Sequence, residues 1–327
     1  MNKKQIWVFA ELSDGEPVGV YYELLPKARA LADETGSAVA AVVLGKDISP
    51  AVDKLKQSGA DVVYAVAHNR LDLYNCQGYA CALEHLIRKY NPYMILIGCT
   101  AIGAELGPTV AAKVKTGLAA HCVDIQVTPE RINFLMPAFG GKFINETIIP
   151  TARPMMASIR PGVLDAVALE ARDSVLIAED VAFLADCPVK EQLLEFIPSE
   201  PTGEDIQGAE TVIAVGRGIN TQSWEKAKTV SAKLGAPIGW SRAFVDTGLV
   251  PDESQVIGTS NKSIKANLLL AFGISGAAHF TYGISKCKTV VSINKDKNAP
   301  IFAVSDYGIV ADADLILAKL LEKIDRQ

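Results

Sequence analysis

The sequence lacks the features typical of a membrane, secreted or metal-binding protein. Its longest apolar stretch, residues 267–280, is too short to span a bilayer and is interrupted by Gly273 and Gly276. The N-terminal run "IWVFAEL" is too short for a signal peptide and has no small-residue cleavage site. The six cysteines form no C-x-x-C pair, and the four histidines do not cluster with them. We therefore expect a bacterial cytoplasmic protein with reduced, mostly buried thiols and no metal site.

The sequence also lacks an excess of positive charge. Its 327 residues carry a formal net charge of −5, whereas a nucleic-acid-binding domain presents a basic face. Apolar residues at 49% and charged residues at 21% are ordinary globular values and argue against a disordered chain. No G-x-G-x-x-G, Ser-His-Asp arrangement or pair of catalytic carboxylates is evident. The length allows two domains, each with its own core.

Strand-like and helix-like segments alternate in the first part of the chain. The β-rich runs "QIWVFAEL", "SAVAAVVLG", "ADVVYAVA" and "YMILIGCT" are each followed by a helix-length segment. This alternation predicts a parallel sheet with helices on both faces. After Gly117, the runs "CVDIQVTPE", "RINFLMPAFGGKFINETII" and "PMMASIRPG" predict added antiparallel strands joined by tight turns.

A second alternating unit follows the Pro-, Gly- and Glu-rich stretch 196–210, which predicts a linker. Its predicted strands are "TVIAVG", "APIGW", "SQVIG", "NLLLAFG", "KTVVSIN" and "PIFAVSD", and its predicted helices are 221–234, one from Gly276, and 311–324. The sequence thus predicts an α/β fold of two Rossmann-like, doubly wound parallel-sheet domains, the first with added antiparallel strands. The predicted domains are 1–195 and 211–327.

Polar or glycine-rich turns follow several predicted strands of the second domain: Arg217-Gly218, Ser241-Arg242, 259–262 and Ser275-Gly276. In open parallel sheets, ligands bind outside the carboxyl ends of the strands. Glycines let backbone N–H groups approach a phosphate, and a helix opening at Ser275 would aim its positive end there. The alternative is that these glycines only permit tight packing. Several such turns with two arginines favour a nucleotide-type ligand.

Other candidate groups are weaker. Gly98, Gly103 and Gly107 follow a strand, but their spacing matches no phosphate-binding fingerprint and favours helix packing. Scattered histidines are expected to be structural, namely His68, His85 and His121.

Strings of the second domain occur in a specific combination and order: "VGRGI", "GWSRAFVDTG", "VIGTSNK", "AFGISGA" and "SINKDKNAPIFAVSDYGIVAD". Together with "GCTAIGAELGPTVAAKVKTGLAAHCVDIQV" and "TARPMMASIRPG" in the first domain, they resemble the electron-transfer flavoprotein alpha subunit over nearly the whole chain. The resemblance implies FAD as the cofactor and a beta subunit as the partner, whose surface helps enclose the flavin.

The resemblance also implies an electron carrier between an acyl-CoA dehydrogenase, or a similar flavin dehydrogenase, and other redox partners. The linker would let the FAD-binding domain rotate between donor and acceptor. In some members of the family the beta subunit carries a second FAD and bifurcates electrons from NADH. The residues that decide this lie largely on the partner.

Individual residues acquire roles from the same resemblance. Arg217 would contact the phosphate or ribose region, and Ser241 and Arg242 would lie beside the isoalloxazine ring. The loop that hydrogen-bonds the ring near N5 would comprise Ile257, Gly258, Thr259 and Ser260. The segment at the pyrophosphate and the far side of the flavin would comprise Ser275, Gly276, Ala277, Ala278, His279 and Phe280. The adenosine half would contact Asn294 and Asp312. No residue is assigned a catalytic role.

Two departures from the family pattern concern the flavin. Residues 258–262 read Gly-Thr-Ser-Asn-Lys, where the family usually has Gly-Gln-Thr-Gly-Lys. Phe280 takes the place of the family's histidine near the flavin O2 carbonyl, and His279 precedes it. One residue is about 100° of helix rotation, so His279 cannot simply substitute. The departures predict flavin potentials that differ from the family norm.

A permanent positive charge beside the ring has a defined effect. Electrons added to a flavin make the ring more negative unless protons follow, so Arg242 would raise its potential. Two other functions stay open. One is a self-contained flavin or nicotinamide oxidoreductase, although no general acid or base is evident near the loops. The other is a non-catalytic nucleotide-binding or assembly subunit in which the departures have abolished flavin binding.

Overall fold

A computed structural model describes residues 4–139, 143–190, 205–250, 253–258 and 261–326. The chain divides into two compact units, residues 1–197 and 198–327. Most of the predicted linker, 196–210, lies outside the described residues, as do the predicted flavin contacts Thr259 and Ser260.

The first unit contains a large parallel sheet and smaller antiparallel ones. Its strands are β1 (Gln5–Ala10), β2 (Leu12–Ser13), β3 (Glu16–Pro17), β4 (Ala38–Gly45), β5 (Val62–Ala67), β6 (Met94–Gly98), β7 (Leu118–Cys122), β8 (Asp124–Val127), β9 (Ile132–Ala138), β10 (Phe143–Thr147), β11 (Met155–Ile159) and β12 (Val175–Ala178). The large sheet has seven strands in the order β12-β5-β4-β1-β6-β11-β7, with every pair parallel. The predicted antiparallel addition is the sheet β10-β9-β8.

Helices cover both faces of the large sheet. They are α1 (Gly19–Thr35), α2 (Ser49–Gln57), α3 (Cys76–Tyr90) and α4 (Ala101–Val114). Side chains alternate along β1, so Ile6 and Val8 enter the core shared with α1 and α2, whereas Trp7 and Phe9 enter the core shared with α3 and α4. Burial of each large apolar side chain contributes roughly 1.5–3 kcal/mol. The predicted doubly wound arrangement is confirmed.

Two strands of the first unit differ from the prediction. The run "PMMASIRPG" was predicted to be antiparallel, yet β11 is parallel and lies between β6 and β7. All five of its residues are buried, which is typical of a central strand covered on both faces. The edge strand β12, which pairs with β5, was not predicted, because its four apolar residues, VLIA, form a run shorter than the others that were read as strands.

The second unit has one five-stranded sheet. Its strands are β13 (Thr211–Val215), β14 (Ile238–Trp240), β15 (Leu268–Phe272), β16 (Thr289–Asn294) and β17 (Tyr307–Val310), in the order β14-β13-β15-β16-β17. Every pair is parallel. Its helices are α5 (Thr221–Leu234), α6 (Arg242–Val245), α7 (Ala278–Gly283) and α8 (Ala313–Ile324). Residues of α5 and α8 share one core with β13, and Phe280 of α7 belongs to the core on the other face.

Three predicted elements of the second unit take another form. The run "SQVIG" forms only isolated bridges, one of them between Val256 and Trp240. The start of "PIFAVSD" is a 3-10 helix, Pro300–Val304, in which only Ile301 is fully buried, so its apolar residues do not alternate as in a strand. Helix α7 begins at Ala278 rather than Gly276, because Gly276 has a left-handed φ of 87°.

Local sequence determines where several helices begin. Side-chain oxygens of Asn75, Thr100, Asn220 and Asp312 accept hydrogen bonds from the first-turn amides of α3, α4, α5 and α8 respectively. Each such cap satisfies a donor that the helix itself leaves unpaired and contributes about 1 kcal/mol. Among the helices of the described ranges, none is long and apolar enough to cross a membrane.

The expectation that the cysteines are reduced is wrong for one pair. Cys81 of α3 and Cys187 form a disulfide, with Cα atoms 6.3 Å apart. The two positions are 106 residues apart and follow no motif spacing, so only the fold brings them together. The other cysteines are free thiols, of which Cys76 and Cys122 are buried.

Candidate functional site

The carboxyl ends of the second unit's strands form one continuous edge. Val215 pairs with Trp240 on one side and with Phe272 on the other, and Ile293 pairs with Phe272 and Ile309. The loops that follow these strands therefore lie side by side. The chain order changes direction between β13 and β15, and parallel sheets bind ligands at such a position.

The glycines at this position bring two loops into backbone contact. Gly218 N donates to Gly273 O at 2.9 Å, and Gly273 has a left-handed φ of 64°. A Cβ on Gly276 would lie 2.1 Å from the amide nitrogen of Ile301. Gly273 and Gly276 thus permit close packing of loops, and contact of Gly276 with FAD stays a prediction.

Arg242 is the first residue of α6 and lies at the end of β14. Its Nη1 donates to Asp246 Oδ1 at 2.7 Å, and its Nε lies 3.0 Å from Glu253 Oε1. The Asp246 hydrogen bond and the Glu253 charge raise the pKa of the guanidinium, which stays charged throughout the physiological range. The two carboxylates were not anticipated, although Asp246 follows Arg242 at the i,i+4 spacing of a helical ion pair.

The segment 275–280 presents some of its side chains and buries others. Ser275, Ala277, Ala278 and His279 are exposed, whereas Gly276 is buried. Phe280 is only 4% exposed and packs in the core. Helix α7, which was predicted to begin at the pyrophosphate, starts later in the chain than expected and has only six residues.

Known families match both units. A profile of the electron transfer flavoprotein domain matches residues 6–183, and one of the electron transfer flavoprotein FAD-binding domain matches residues 205–285. The chain belongs to the electron transfer flavoprotein family. Since the second matched domain is FAD-binding, FAD is its cofactor and electron transfer its function.

Curated relatives match the chain end to end. The alpha subunit of the electron transfer flavoprotein of Thermoanaerobacterium thermosaccharolyticum is 36% identical over 99% of this chain and 98% of its own length. That of Megasphaera elsdenii is also 36% identical, over 99% and 97%. The acryloyl-CoA reductase electron transfer subunit beta of Anaerotignum propionicum is 31% identical over 98% and 95%.

The remaining residues predicted to contact FAD in this flavoprotein have mixed surroundings. Arg217 is exposed and Ser241 is half-buried at adjacent strand ends. Ile257 is buried, and its amide donates to Trp240 O at 2.8 Å. Gly258 is also buried, and a Cβ on it would lie 3.0 Å from His279 O.

The predicted adenosine contacts both have structural partners in the flavoprotein. Asn294 donates through Nδ2 to Ile274 O at 2.8 Å and accepts through Oδ1 from Asp296 N at 2.9 Å. Asp312 accepts from Asp314 N at 2.8 Å at the start of α8. Their side chains therefore hold the loops of the edge in place.

The edge fits an anionic dinucleotide. Guanidinium groups of Arg217 and Arg242 follow adjacent strands, and the hydroxyl of Ser275 is exposed at the next strand end. Trp240 Nε1, directly before Ser241, is a buried donor without an acceptor among the described residues. The two guanidinium groups and the Ser275 hydroxyl supply positive charge and donors of the kind that phosphate and a reduced flavin ring require.

In the first unit of the flavoprotein, two glycines and His85 take part in packing. A Cβ on Gly103 would lie 1.8 Å from Gly98 O, so these glycines bring α4 against β6. His85 stacks on Phe183 with ring centroids 3.8 Å apart, whereas His121 is exposed and its Nδ1 lies 3.2 Å from Cys99 Sγ. Within the described ranges, no three His, Cys, Asp or Glu residues are grouped to hold a metal ion.

Proposed function

We propose that this chain holds FAD at the carboxyl edge of its second sheet and works as one subunit of a two-subunit electron carrier. The observation that carries the proposal is the strand register, which places Arg217, the pair Ser241-Arg242 and Ser275 on three adjacent loops. Residues 211–327 are then the FAD-binding domain and residues 1–195 the partner-contacting domain.

Arg242 has a defined task at this site. FAD, when bound, supplies the chemistry of accepting and passing on electrons. Arg242 places a permanent positive charge beside the ring, and Asp246 and Glu253 hold the guanidinium through Nη1 and Nε. The described residues give Nη2 no partner, so this group can face the ligand. The two carboxylates also weaken the positive field that the ring experiences.

A partner subunit is supported by the relatives and by exposed apolar surface. Two of the relatives are named alpha subunits, and a third is named an electron transfer subunit. All four residues of edge strand β17 are exposed, among them Tyr307 at 65% and Val310 at 59%. Phe139 and Phe143, which flank the β9–β10 turn, are 80% and 63% exposed. Surface of this kind is usually covered by another chain.

The proposed partners are an electron-transfer flavoprotein beta subunit and an acyl-CoA dehydrogenase or similar flavin dehydrogenase, and the proposed location is the bacterial cytoplasm. The name of the acryloyl-CoA reductase relative supports the acyl-CoA connection. The segment between the two units would let the FAD-binding domain move between donor and acceptor.

The test is the visible spectrum of the chain co-purified with the product of its neighbouring gene. We expect bound flavin, and we expect Arg217→Ala together with Arg242→Ala to lower FAD retention. Lys228→Ala is the matched control, because it also removes a positive charge, but from α5 and away from the strand ends. A colourless complex would contradict the proposal, and steady NADH oxidation by the chain alone would favour a self-contained oxidoreductase.

A further inference from the structure

The segment 182–190, at the end of the first unit's described residues, is covalently held on α3. Cys187 lies in this segment and is bonded to Cys81 of α3. Their Cα separation of 6.3 Å is within the range that disulfides accept. Nothing in the electron-transfer function requires this bond, and the family's flavin lies in the other unit.

Arg70 holds the same segment without a covalent bond. Its Nη1 donates to the carbonyl of Leu184 at 2.7 Å and lies 3.4 Å from that of Cys187. Leu184 itself is fully buried in the core that α3 shares with the sheet. Neither contact involves the sulfur of Cys187.

Two further contacts lie on either side of the disulfide. The ring of Phe183 stacks on that of His85, an α3 residue one turn after Cys81. The amide of Lys190 donates to Gln77 Oε1 at 2.6 Å, one turn before Cys81. The segment therefore contacts α3 at three positions, His85, Cys81 and Gln77, and the disulfide is at the middle one.

The two cysteines differ in how far solvent can reach them. Cys81 is half-buried and Cys187 is only 6% exposed, so Cys81 is the more accessible of the two to a small thiolate. Cys187 Sγ lies 3.6 Å from Phe183 O, so the thiol of a reduced Cys187 has an acceptor already in place.

We propose that Cys81 and Cys187 form a reversible thiol–disulfide pair that controls how firmly residues 182–190 are held on the first unit. The reductant is a dithiol. One of its thiolates attacks Cys81 Sγ, the S–S bond breaks, and Cys187 leaves as a thiolate and takes up a proton. The second thiol then displaces Cys81, which yields the oxidised dithiol and two protein thiols. Two electrons pass from the dithiol to the pair.

Residues 182–190 come directly before the stretch of chain that joins the two units. Their attachment to α3 therefore determines which residue is the last to be held on the first unit. With the bond intact, the chain cannot leave α3 before residue 187. Without the bond, only the hydrogen bonds, the ring stack and buried Leu184 oppose local opening, and such openings become more frequent. The proposal does not depend on where FAD binds.

Hydrogen exchange read by mass spectrometry on the full chain tests the proposal. In wild-type protein, we expect peptides covering residues 182–190 to exchange several-fold faster after treatment with dithiothreitol than before. Cys81→Ser should show the fast exchange without reductant. Cys287→Ser is the matched control, because Cys287 is a half-buried free thiol of the second unit, and it should keep the wild-type difference.

Differential alkylation of untreated wild-type protein provides the second measurement. We expect Cys81 and Cys187 to be protected from alkylation and to become labelled only after reduction. We expect the bond to re-form when the dithiol is replaced by glutathione disulfide, which takes up the two electrons and is released as two glutathione thiols. Labelling of both thiols in untreated protein would overturn the proposal, as would equal exchange before and after reduction. The wild-type comparison decides the matter even if Cys81→Ser fails to fold.

Discussion

Nη1 of Arg242 lies 2.7 Å from Oδ1 of Asp246, one turn further along the chain. The guanidinium proposed to face the flavin thus already has a carboxylate partner, and Glu253 supplies a second. Because the three side chains together carry one net negative charge, the field at the ring is weaker than a lone arginine would produce. The charge of this group, rather than of Arg242 alone, would set the flavin potential.

Arg242→Ala should lower the reduction potential of bound FAD, because it removes the positive charge and leaves two carboxylates near the ring. We expect a change on the order of tens of millivolts, measured by reductive titration against reference dyes. Arg242→Lys keeps the charge and should restore much of the potential. An unchanged potential in Arg242→Ala would place this residue away from the flavin.

Asp246→Asn should shift the potential in the opposite direction. The amide can still accept the Arg242 hydrogen bond, but the negative charge that offsets the guanidinium is gone. The same titration measures the effect, with Asp325→Asn as the control, because Asp325 is another exposed carboxylate of the second unit that pairs with a lysine. A lower potential in Asp246→Asn would contradict the expected sign.

Gly276→Ala should destabilise the second unit by about 3 kcal/mol or more. The substitution carries two costs, a left-handed φ of 87° and a clash with the backbone of Ile301. Gly235→Ala is the matched control, since Gly235 also has a left-handed φ but no atom within 4 Å of its Cβ position. It should cost only about 1 kcal/mol in urea unfolding. Equal costs would show that the contact with Ile301 is unimportant.

His279 and Phe280 should respond differently to truncation. Phe280 fills the core, so Phe280→Ala should cost about 3–5 kcal/mol of stability whether or not FAD is bound. His279 is exposed, so His279→Ala should cost less than about 1 kcal/mol but reduce FAD retention. Thermal unfolding and flavin content separate the two effects. Loss of flavin without loss of stability in Phe280→Ala would reverse the assignment.

Asp61→Asn should make the stability of the first unit less dependent on pH. Burial alone would raise the pKa of Asp61, but the Val39 amide and the Arg29 guanidinium outweigh it and lower the pKa below its usual value. The ionised carboxylate therefore stabilises the fold above a pH of about 4, and this stabilisation is lost as the pH falls through the folded-state pKa.

Urea unfolding at neutral and strongly acidic pH measures this effect. We expect Asp61→Asn to cost about 2 kcal/mol at neutral pH and much less in acid. Asp33→Asn is the control, because Asp33 is 68% exposed and lies 3.9 Å from the same arginine. An equal cost of Asp61→Asn at both pH values would contradict the argument.

The sequence predicted the parallel sheets well because their strands are long apolar runs separated by amphipathic helices. Helix α5 occurs over the residues expected, 221–234, since Asn220 and Gly235 are strong end signals. Strand β11 was misassigned because strand direction depends on long-range pairing, which periodicity does not record. Pro300–Val304 was misread because a short apolar run fits a strand and a single helical turn equally well.

The candidate site was predictable only in part. Family strings pointed to Arg217, Ser241 and Arg242, and all three lie at adjacent strand ends. The pairing of Arg242 with Glu253 was not predictable, because no helix or strand spacing relates the two positions. The Cys81–Cys187 bond was equally hidden, since residues 106 apart meet only once the tertiary structure has formed.

Strand β12 has a consequence for how the protein is made. It occupies the outer edge of the first sheet beside β5, yet it comes more than a hundred residues later in the chain. A ribosome that has released only the first 170 residues therefore leaves the β5 edge bare and able to pair with a neighbouring nascent chain. Fragments ending before Val175 should aggregate, and those ending after Cys187 should stay in solution.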